Sequence, residues 1–263
     1  MKTVRAAASQ TYPDQFYQVL VLDDARNDSL REAVEQLDQD LGLTSPGRSP
    51  VIYLSRKKTT ESTHYKSGNI RFGLSTTVNY HGGSRYIAVL DADMVPAETW
   101  LQRTVHPLES DQQLAMAGPP QQFHNVPAGD LLGQDTGVFA QILEPLRDRF
   151  GCSQCCGSGF VMRRAALDTI GGWPLCNVNE DVVCSFTLLG TGWRTAHVNE
   201  KLQSGVVAGS FHAYVAQRMR WVRVSSFSSI NLTRGPDELT NFFRPWATSS
   251  SERDSAFSLR LAE

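Results

Sequence analysis

Long apolar runs are missing from this sequence. No stretch approaches the roughly 18 residues that a membrane-crossing helix needs, and the polar start at Met1 lacks the apolar segment of a secretory leader. The chain reads as cytosolic, with attachment at a membrane surface left open. Cysteine is scarce, five in 263 residues. Cys152, Cys155 and Cys156 cluster and Cys176 and Cys184 follow, but no matching second pair completes a zinc pattern, so they read as reduced thiols. Charge of one sign is lacking too. A net charge of −2 without a long basic run gives nucleic acid no electrostatic footing. Neither glycine signature for phosphate is present: no Gly-x-x-x-x-Gly-Lys-Ser/Thr, and no Gly-x-Gly-x-x-Gly after a strand. A diphosphate bound here must be held by side chains and a metal. Nor is there a Gly-x-Ser-x-Gly elbow, which removes the usual support for a serine hydrolase.

What is present is an ordinary globular composition, 41% hydrophobic and 20% charged, enough for one sizeable core. Val19–Leu22, Val51–Leu54 and Tyr86–Leu90 are short apolar runs that end in polar or acidic residues. Such runs fit parallel strands buried on both faces. Helical spacing follows over residues 29–41 and 68–79, so the front half alternates strand and helix and predicts an open α/β sheet. Further helices are expected over 138–150, 160–170, 181–189 and from Ser210 to about Phe227. One domain, residues 1–230, is expected to be followed by a polar, disordered tail, residues 231–263.

Ligands of open α/β sheets bind beyond the carboxyl ends of the strands. Asp23-Asp24 and Asp91-Ala92-Asp93 both fall there. Two alternating carboxylates suit a hard divalent cation, Mg²⁺ or Mn²⁺, shared with phosphates. Asp23 and Asp24 can accept from a base imide or a ribose hydroxyl, or can simply cap the following helix. Lys66 stands beside Gly68, where the backbone admits close approach. Asn179-Glu180-Asp181 precedes a helix and offers a carboxylate as general base, or a favourable charge at a helix start. Gln217, Arg220 and Trp221 lie on one face of a helix by their spacing. Arg220 can neutralise a departing diphosphate and Trp221 can stack on a sugar ring. In this order the groups describe a sugar-nucleotide site with a metal and a base.

With these motifs the chain resembles the family 2 glycosyltransferases, the cellulose synthase and hyaluronan synthase group and its fungal relatives. The resemblance rests on Val21–Asp24, Lys66–Asn69, Asp91–Asp93, Cys156–Gly159, Asn179–Asp181 and Gln217–Trp221. Ile170–Trp173 and Gly190–Trp193 add to it, and it covers about residues 2 to 224. It implies a GT-A-like, mostly parallel sheet and an inverting, metal-dependent transfer from a UDP-sugar to an acceptor hydroxyl on a glycan, lipid or small molecule. Asp181, with Glu180, would be catalytic. Asp23, Asp24, Lys66, Asp91 and Arg220 would bind the donor, and Asp91 and Asp93 the metal. Cys156, Gly157, Ser158, Gln217 and Trp221 would meet the acceptor. The chain departs from the family pattern in Asn179, where Thr is usual, and in lacking the family's first strand and its membrane helices. A sheet edge is therefore expected to be open. A truncated, catalytically silent domain that binds UDP or a partner protein stands as the alternative.

Overall fold

The computed structural model describes residues 1–42, 51–57, 65–81, 83–175, 179–228 and 256–261, with 65, 77–81, 220–228 and 256–261 as backbone alone. The order is α1 (Lys2–Ala7), β1 (Tyr17–Leu22), α2 (Asp28–Asp40), β2 (Val51–Leu54), α3 (Tyr65–His81), β3 (Tyr86–Asp91) and β4 (Val95–Pro96). Then come α4 (Trp100–Ser110), β5 (Leu114–Gly118), β6 (Gln122–Phe123) and α5 (Glu144–Arg149), which a π-helical turn over Phe139–Leu143 leads into. The chain continues with β7 (Phe160–Arg163), α6 (Arg164–Thr169), α7 (Glu180–Gly190), β8 (Arg194–His197), β9 (Gln203–Gly205), α8 (Phe211–Ser228) and β10 (Ala256–Leu261).

Seven strands form the main sheet in the order β2-β1-β10-β3-β7-β5-β8, and β4-β9-β6 form a second, small sheet. β1 pairs parallel with β2, and β5 with β8, whereas β7 and β10 run against their neighbours. Five of the seven strands thus share one direction. The pleat sends alternate residues to opposite faces, and each face has its own core. On one, Val19, Val21, Ala88 and Leu90 meet Val4 of α1, Val34 and Leu37 of α2, and Trp100, Leu101 and Leu108 of α4. On the other, Ile87, Val89 and Met162 meet Ile70 of α3, Leu167 of α6 and Leu188 of α7. This is a three-layer α/β architecture.

Two expectations change. Residues 160–170 are a strand and then a helix, because Phe160, Val161, Met162 and Arg163 are all buried and hold β7 between β3 and β5. A short run buried on both faces has no period that separates strand from helix. β3 does not pair with β1. Residues 256–261, inside the segment expected as a disordered tail, form β10 and lie between them. The rest of that tail lies outside the described residues. Ser210 Oγ accepts from Ala213 N–H (3.2 Å) at the start of α8, as expected, whereas α2 is capped by Asn27, whose Oδ1 accepts from Leu30 N–H (3.1 Å), and not by Asp23 or Asp24.

Candidate active site

β1, β2 and β3 share one direction, so their carboxyl ends lie on one side of the sheet. Asp23 and Asp24 follow β1, and both are held within the chain. Asp23 is 1% exposed. Its Oδ1 accepts from Ala25 N–H (2.8 Å), and its Oδ2 from Asn27 N–H and the Tyr53 hydroxyl (2.7 Å each). Burial first, then the Asp23 carboxylate, pushes the Tyr53 hydroxyl up to about 12. Asp24 forms a fork with Arg56, Nε to Oδ1 at 2.7 Å and Nη2 to Oδ2 at 2.8 Å. Tyr53 and Arg56 were not singled out in the sequence. Each stands some thirty residues from its partner, and only the pairing of β1 with β2 brings them together.

The centre of the site is Lys66, in the first turn of α3. Its ammonium lies 2.5 Å from Asp91 Oδ1 at the end of β3, and donates to the Gly157 carbonyl at 2.6 Å. Burial opposes its charge, but Asp91, Glu180 and Asp181 more than offset that, and its pKa is raised. Asn69, one turn further on, donates from Nδ2 to the carbonyl of Leu22 (3.1 Å) and so ties α3 to the end of β1. Asp91 N–H donates to Ser158 Oγ (2.9 Å), and Ser158 is 1% exposed, so this hydroxyl holds the backbone of Asp91 at the end of β3.

Gly157 has a left-handed backbone, φ 82°, and an added Cβ would stand 2.7 Å from Asp181 Oδ2 and 3.9 Å from Lys66 Nζ. Here only glycine fits. Asp181 and Glu180 open α7 after Asn179, which is itself left-handed (φ 48°) and makes no side-chain cap. Asp181 Oδ1 accepts from Val182 N–H at 2.8 Å, which leaves Oδ2 facing Gly157. Burial raises both carboxyls above their ordinary range against the pull of Lys66, that of Glu180 to about 7. The structure therefore gathers Lys66, Asp91, Gly157, Ser158, Glu180 and Asp181 around one point, from α3, β3, the turn before β7, and α7.

Behind this point lies a polar support that the sequence did not signal. Gln203 of β9 donates from Nε2 to the Ser158 carbonyl (3.0 Å), and packs so tightly on Gly159 that a Cβ there would overlap it at 2.3 Å. Trp100 of α4 donates to the Gly159 carbonyl at 2.7 Å, which pins the glycine turn to the other layer. Gln121 holds the carbonyl of Cys156 (2.8 Å). The Cys156 thiol is pushed up to about 12, by burial first and then by Glu144 and Asp181, so it stands as a neutral thiol and not as a nucleophile.

Asp93 is exposed beyond β3. Among the described residues no three His, Cys, Asp or Glu side chains gather as a metal cluster. Two carboxylates, one of them already on Lys66, fit a Mg²⁺ or Mn²⁺ whose remaining ligands are phosphate oxygens and water, which is the habit of Mg²⁺. They do not fit a metal held by protein alone. Gln217 is half-buried on α8. The side chains of Arg220 and Trp221 lie outside the described residues, and so does Cys176. α8 is anchored by Tyr214, whose hydroxyl donates to the Leu132 carbonyl (2.6 Å) while its ring faces Arg218 at 5.1 Å.

Comparison with known proteins agrees with this geometry. The sequence model described as "Glycosyltransferase like family 2" matches residues 1–224, and the chain belongs to that family. It is 27% identical over 228 residues to the cellulose synthase catalytic subunit [UDP-forming] of Komagataeibacter sucrofermentans, covering 84% of this chain and 28% of that protein. The identity and both shares are the same for the cellulose synthase catalytic subunit [UDP-forming] of Xanthomonas axonopodis pv. citri. The chain thus spans about 28% of the length of these relatives. Among solved structures it is similar to the mannosyltransferase PcManGT from Pyrobaculum calidifontis in complex with GDP-Man and Mn²⁺. The TM-score is 0.57 at 19% identity, over 83% of this chain and 55% of that one. That likeness supports the GT-A-like sheet. Among the described residues no helix is long and apolar enough to cross a membrane.

Proposed function

We propose that this chain is a glycosyltransferase domain that moves a sugar from a UDP-sugar to an acceptor hydroxyl, with inversion. The observation that carries the reading is the convergence on Lys66: its ammonium is bonded to Asp91 and to Gly157, and Gly157 is packed against Asp181. A cation beside a strand-end carboxylate suits a diphosphate. A buried carboxyl with one oxygen turned to the glycine turn suits a base. UDP is the nucleotide of the cellulose synthases named above, and Mn²⁺ accompanies the nucleotide sugar in the mannosyltransferase structure.

In this mechanism Lys66 offers its charge to the diphosphate and exchanges part of its bond to Asp91 for it. Asp91 and Asp93 would hold Mg²⁺ or Mn²⁺, and the ion would supply charge neutralisation to a leaving diphosphate. Asp24, with Arg56 and with Asp23 fixed behind it, faces the uridine. Asp181 takes the proton of the acceptor hydroxyl as that oxygen attacks the anomeric carbon, and Glu180 shares the raised-pKa environment that keeps a base effective near neutrality. Direct displacement by one nucleophile inverts the centre. Gln217, Arg220 and Trp221 on α8, with Cys156 and Gly157, are assigned to the diphosphate and the acceptor end. A membrane surface or a membrane-protein partner fits two exposed apolar stripes. Val138, Ile142, Leu146 and Phe150 recur every four residues, as do Phe211, Val215 and Met219 on α8, and all are exposed.

The second reading is a silent UDP-binding domain. It is favoured by the self-pairing of the donor-side carboxylates: Asp23 to Tyr53, Asp24 to Arg56 and Asp91 to Lys66. The deciding experiment is UDP release from a panel of UDP-sugars with Mn²⁺ or Mg²⁺, beside calorimetry of UDP with and without EDTA. Release that needs the metal and is lost in Asp93→Ala supports the enzyme. Binding without release supports the silent domain, and equal UDP affinity in EDTA removes the metal assignment.

A further inference from the structure

β1 and β3 point the same way, are buried along nearly their whole length, and do not pair with each other. Between them lies β10, antiparallel to both and paired through all six of its residues on each side. Remove it and the main sheet has no strand joining β2-β1 to β3-β7-β5-β8. Both flanking strands would then present unpaired N–H and C=O groups in the middle of a core, where an unsatisfied backbone group is costly. A strand in this slot is what joins the two halves into one sheet.

β10 meets both of its neighbours in register, without a bulge. Positions 257, 259 and 261 stand opposite Val21, Val19 and Tyr17 on one side and Leu90, Ala88 and Tyr86 on the other. All six partners belong to a single core. The residues at those positions are Phe257, Leu259 and Leu261, while Ser258 and Arg260 alternate with them. Ser258 stands opposite Leu20 and Val89, and Arg260 opposite Gln18 and Ile87; Ile87 and Val89 belong to the core on the other face. Residue 256 stands opposite both Leu22 and Asp91. The strand thus begins between the strand end that carries Asp23-Asp24 and the one that carries Asp91 with its Lys66. Neighbouring strands lie about 4.8 Å apart, so one inserted strand sets those two ends about 10 Å apart. This segment lies beyond residue 224, where the family match ends, and residues 229–255 connect it to α8.

We propose that the C-terminal strand is a positioning element of the active site, so that docking of residues 256–261 between β1 and β3 and binding of the nucleotide are thermodynamically linked. The linkage rests on the nucleotide reading given above. A nucleotide that touches both Asp24 and Asp91 binds only the docked arrangement. Its apparent affinity falls by the fraction docked, and by reciprocity the nucleotide holds the strand in.

The test uses the full chain, with UDP and Mn²⁺ as the probe and hydrogen exchange as the readout. In the wild type, UDP at a hundredfold its Kd should slow exchange at residues 256–261 by up to about a hundredfold. Ser258→Pro removes an N–H at the centre of the strand and blocks pairing. It should expose residues 19–22 and 87–90 and weaken UDP at least tenfold, whereas Ser258→Thr should do neither. Wild-type protection and UDP affinity in Ser258→Pro would overturn the proposal. Should Ser258→Pro fail to fold, Leu20→Cys with Ser258→Cys decides. These positions are paired, so an intrachain disulfide with wild-type UDP affinity supports the strand. An interchain disulfide, or none, overturns it. If the wild type binds no UDP, the nucleotide reading fails, and the strand's hold on β1 and β3 is decided by exchange alone.

Discussion

Replacing Gly157 by alanine separates backbone strain from damage to the site. Gly157 and Gly171 have nearly the same left-handed backbone, φ 82° and 79°. A side chain there costs roughly 1–2 kcal/mol at either position, which lowers the melting temperature by about 2–8 °C in a domain of this size. The surroundings differ. A Cβ at Gly171 meets nothing within 4 Å, whereas one at Gly157 stands 2.7 Å from Asp181 Oδ2. An ordinary carbon–oxygen contact needs about 3.4 Å or more, so the Asp181 carboxylate must retreat by over half an ångström, or the Gly157 turn must move and take its carbonyl from Lys66. A misplacement near 1 Å costs on the order of a hundredfold in rate. Gly157→Ala should therefore lose about a hundredfold in UDP release, and Gly171→Ala should keep the wild-type rate with a similar loss of melting temperature. The paired measurement is thermal melting and turnover of both variants on one preparation. Equal turnover in the two would refute the placement of Asp181 at the reacting centre.

Asp181→Asn keeps the shape of the side chain and removes the base. Turnover should fall a hundredfold or more while UDP affinity and melting hold, and little change in any of them would mean that Asp181 only decorates the start of α7. Glu180 gives a pH signature in the metal-free protein. Its folded pKa of about 7 lies above the ordinary 4.5, so the folded state holds the extra proton. The stabilisation is complete below about pH 4.5 and is lost as pH rises through about 7, on the order of 3 kcal/mol at most. Melting in EDTA should fall across that window, and less steeply in Glu180→Gln, where only the raised Asp181 carboxyl remains. An unchanged slope in that variant would assign the titration elsewhere. The apolar stripes predict co-flotation with liposomes, weakened by Phe150→Ser and Phe211→Ser, and a chain that ignores liposomes of every composition would remove the membrane surface from the proposed partners.

The strand-end carboxylates were legible because an apolar run closing on Asp is a local pattern. β1 and β3 needed no distant information to be seen, and direction alone brought Asp23, Asp24 and Asp91 to one side. β7 was not legible, since Phe160–Arg163 is buried on both faces and short. β10 was hidden for another reason. Its six residues sit in a polar surrounding that predicts disorder, and what holds them is a slot assembled from strands more than 160 residues earlier. Local propensity carries no trace of such a vacancy between two strands.

The motif residues were legible as a set, but their roles depended on partners the motifs do not contain. Asp23 and Asp24 look alike in sequence. In the fold one carboxylate is spent on two backbone N–H groups and Tyr53, and the other on the Arg56 fork. Ser158, read as an acceptor contact, turns its hydroxyl to the Asp91 backbone, while its neighbour Gly157 is required by Asp181. Each of these distinctions is a contact between residues far apart in the chain. An ionic group adjacent to its opposite in space can be held ready or held shut, and Lys66 on Asp91 is the case that matters. The two side chains are 20% and 30% accessible. Lys66→Met would remove the competitor for Asp91 together with the charge for the diphosphate. If the ammonium only neutralises Asp91, UDP affinity in the presence of Mn²⁺ should hold or rise. If it binds the diphosphate, affinity should fall at least tenfold, and calorimetry of that single variant separates a latch from a ligand.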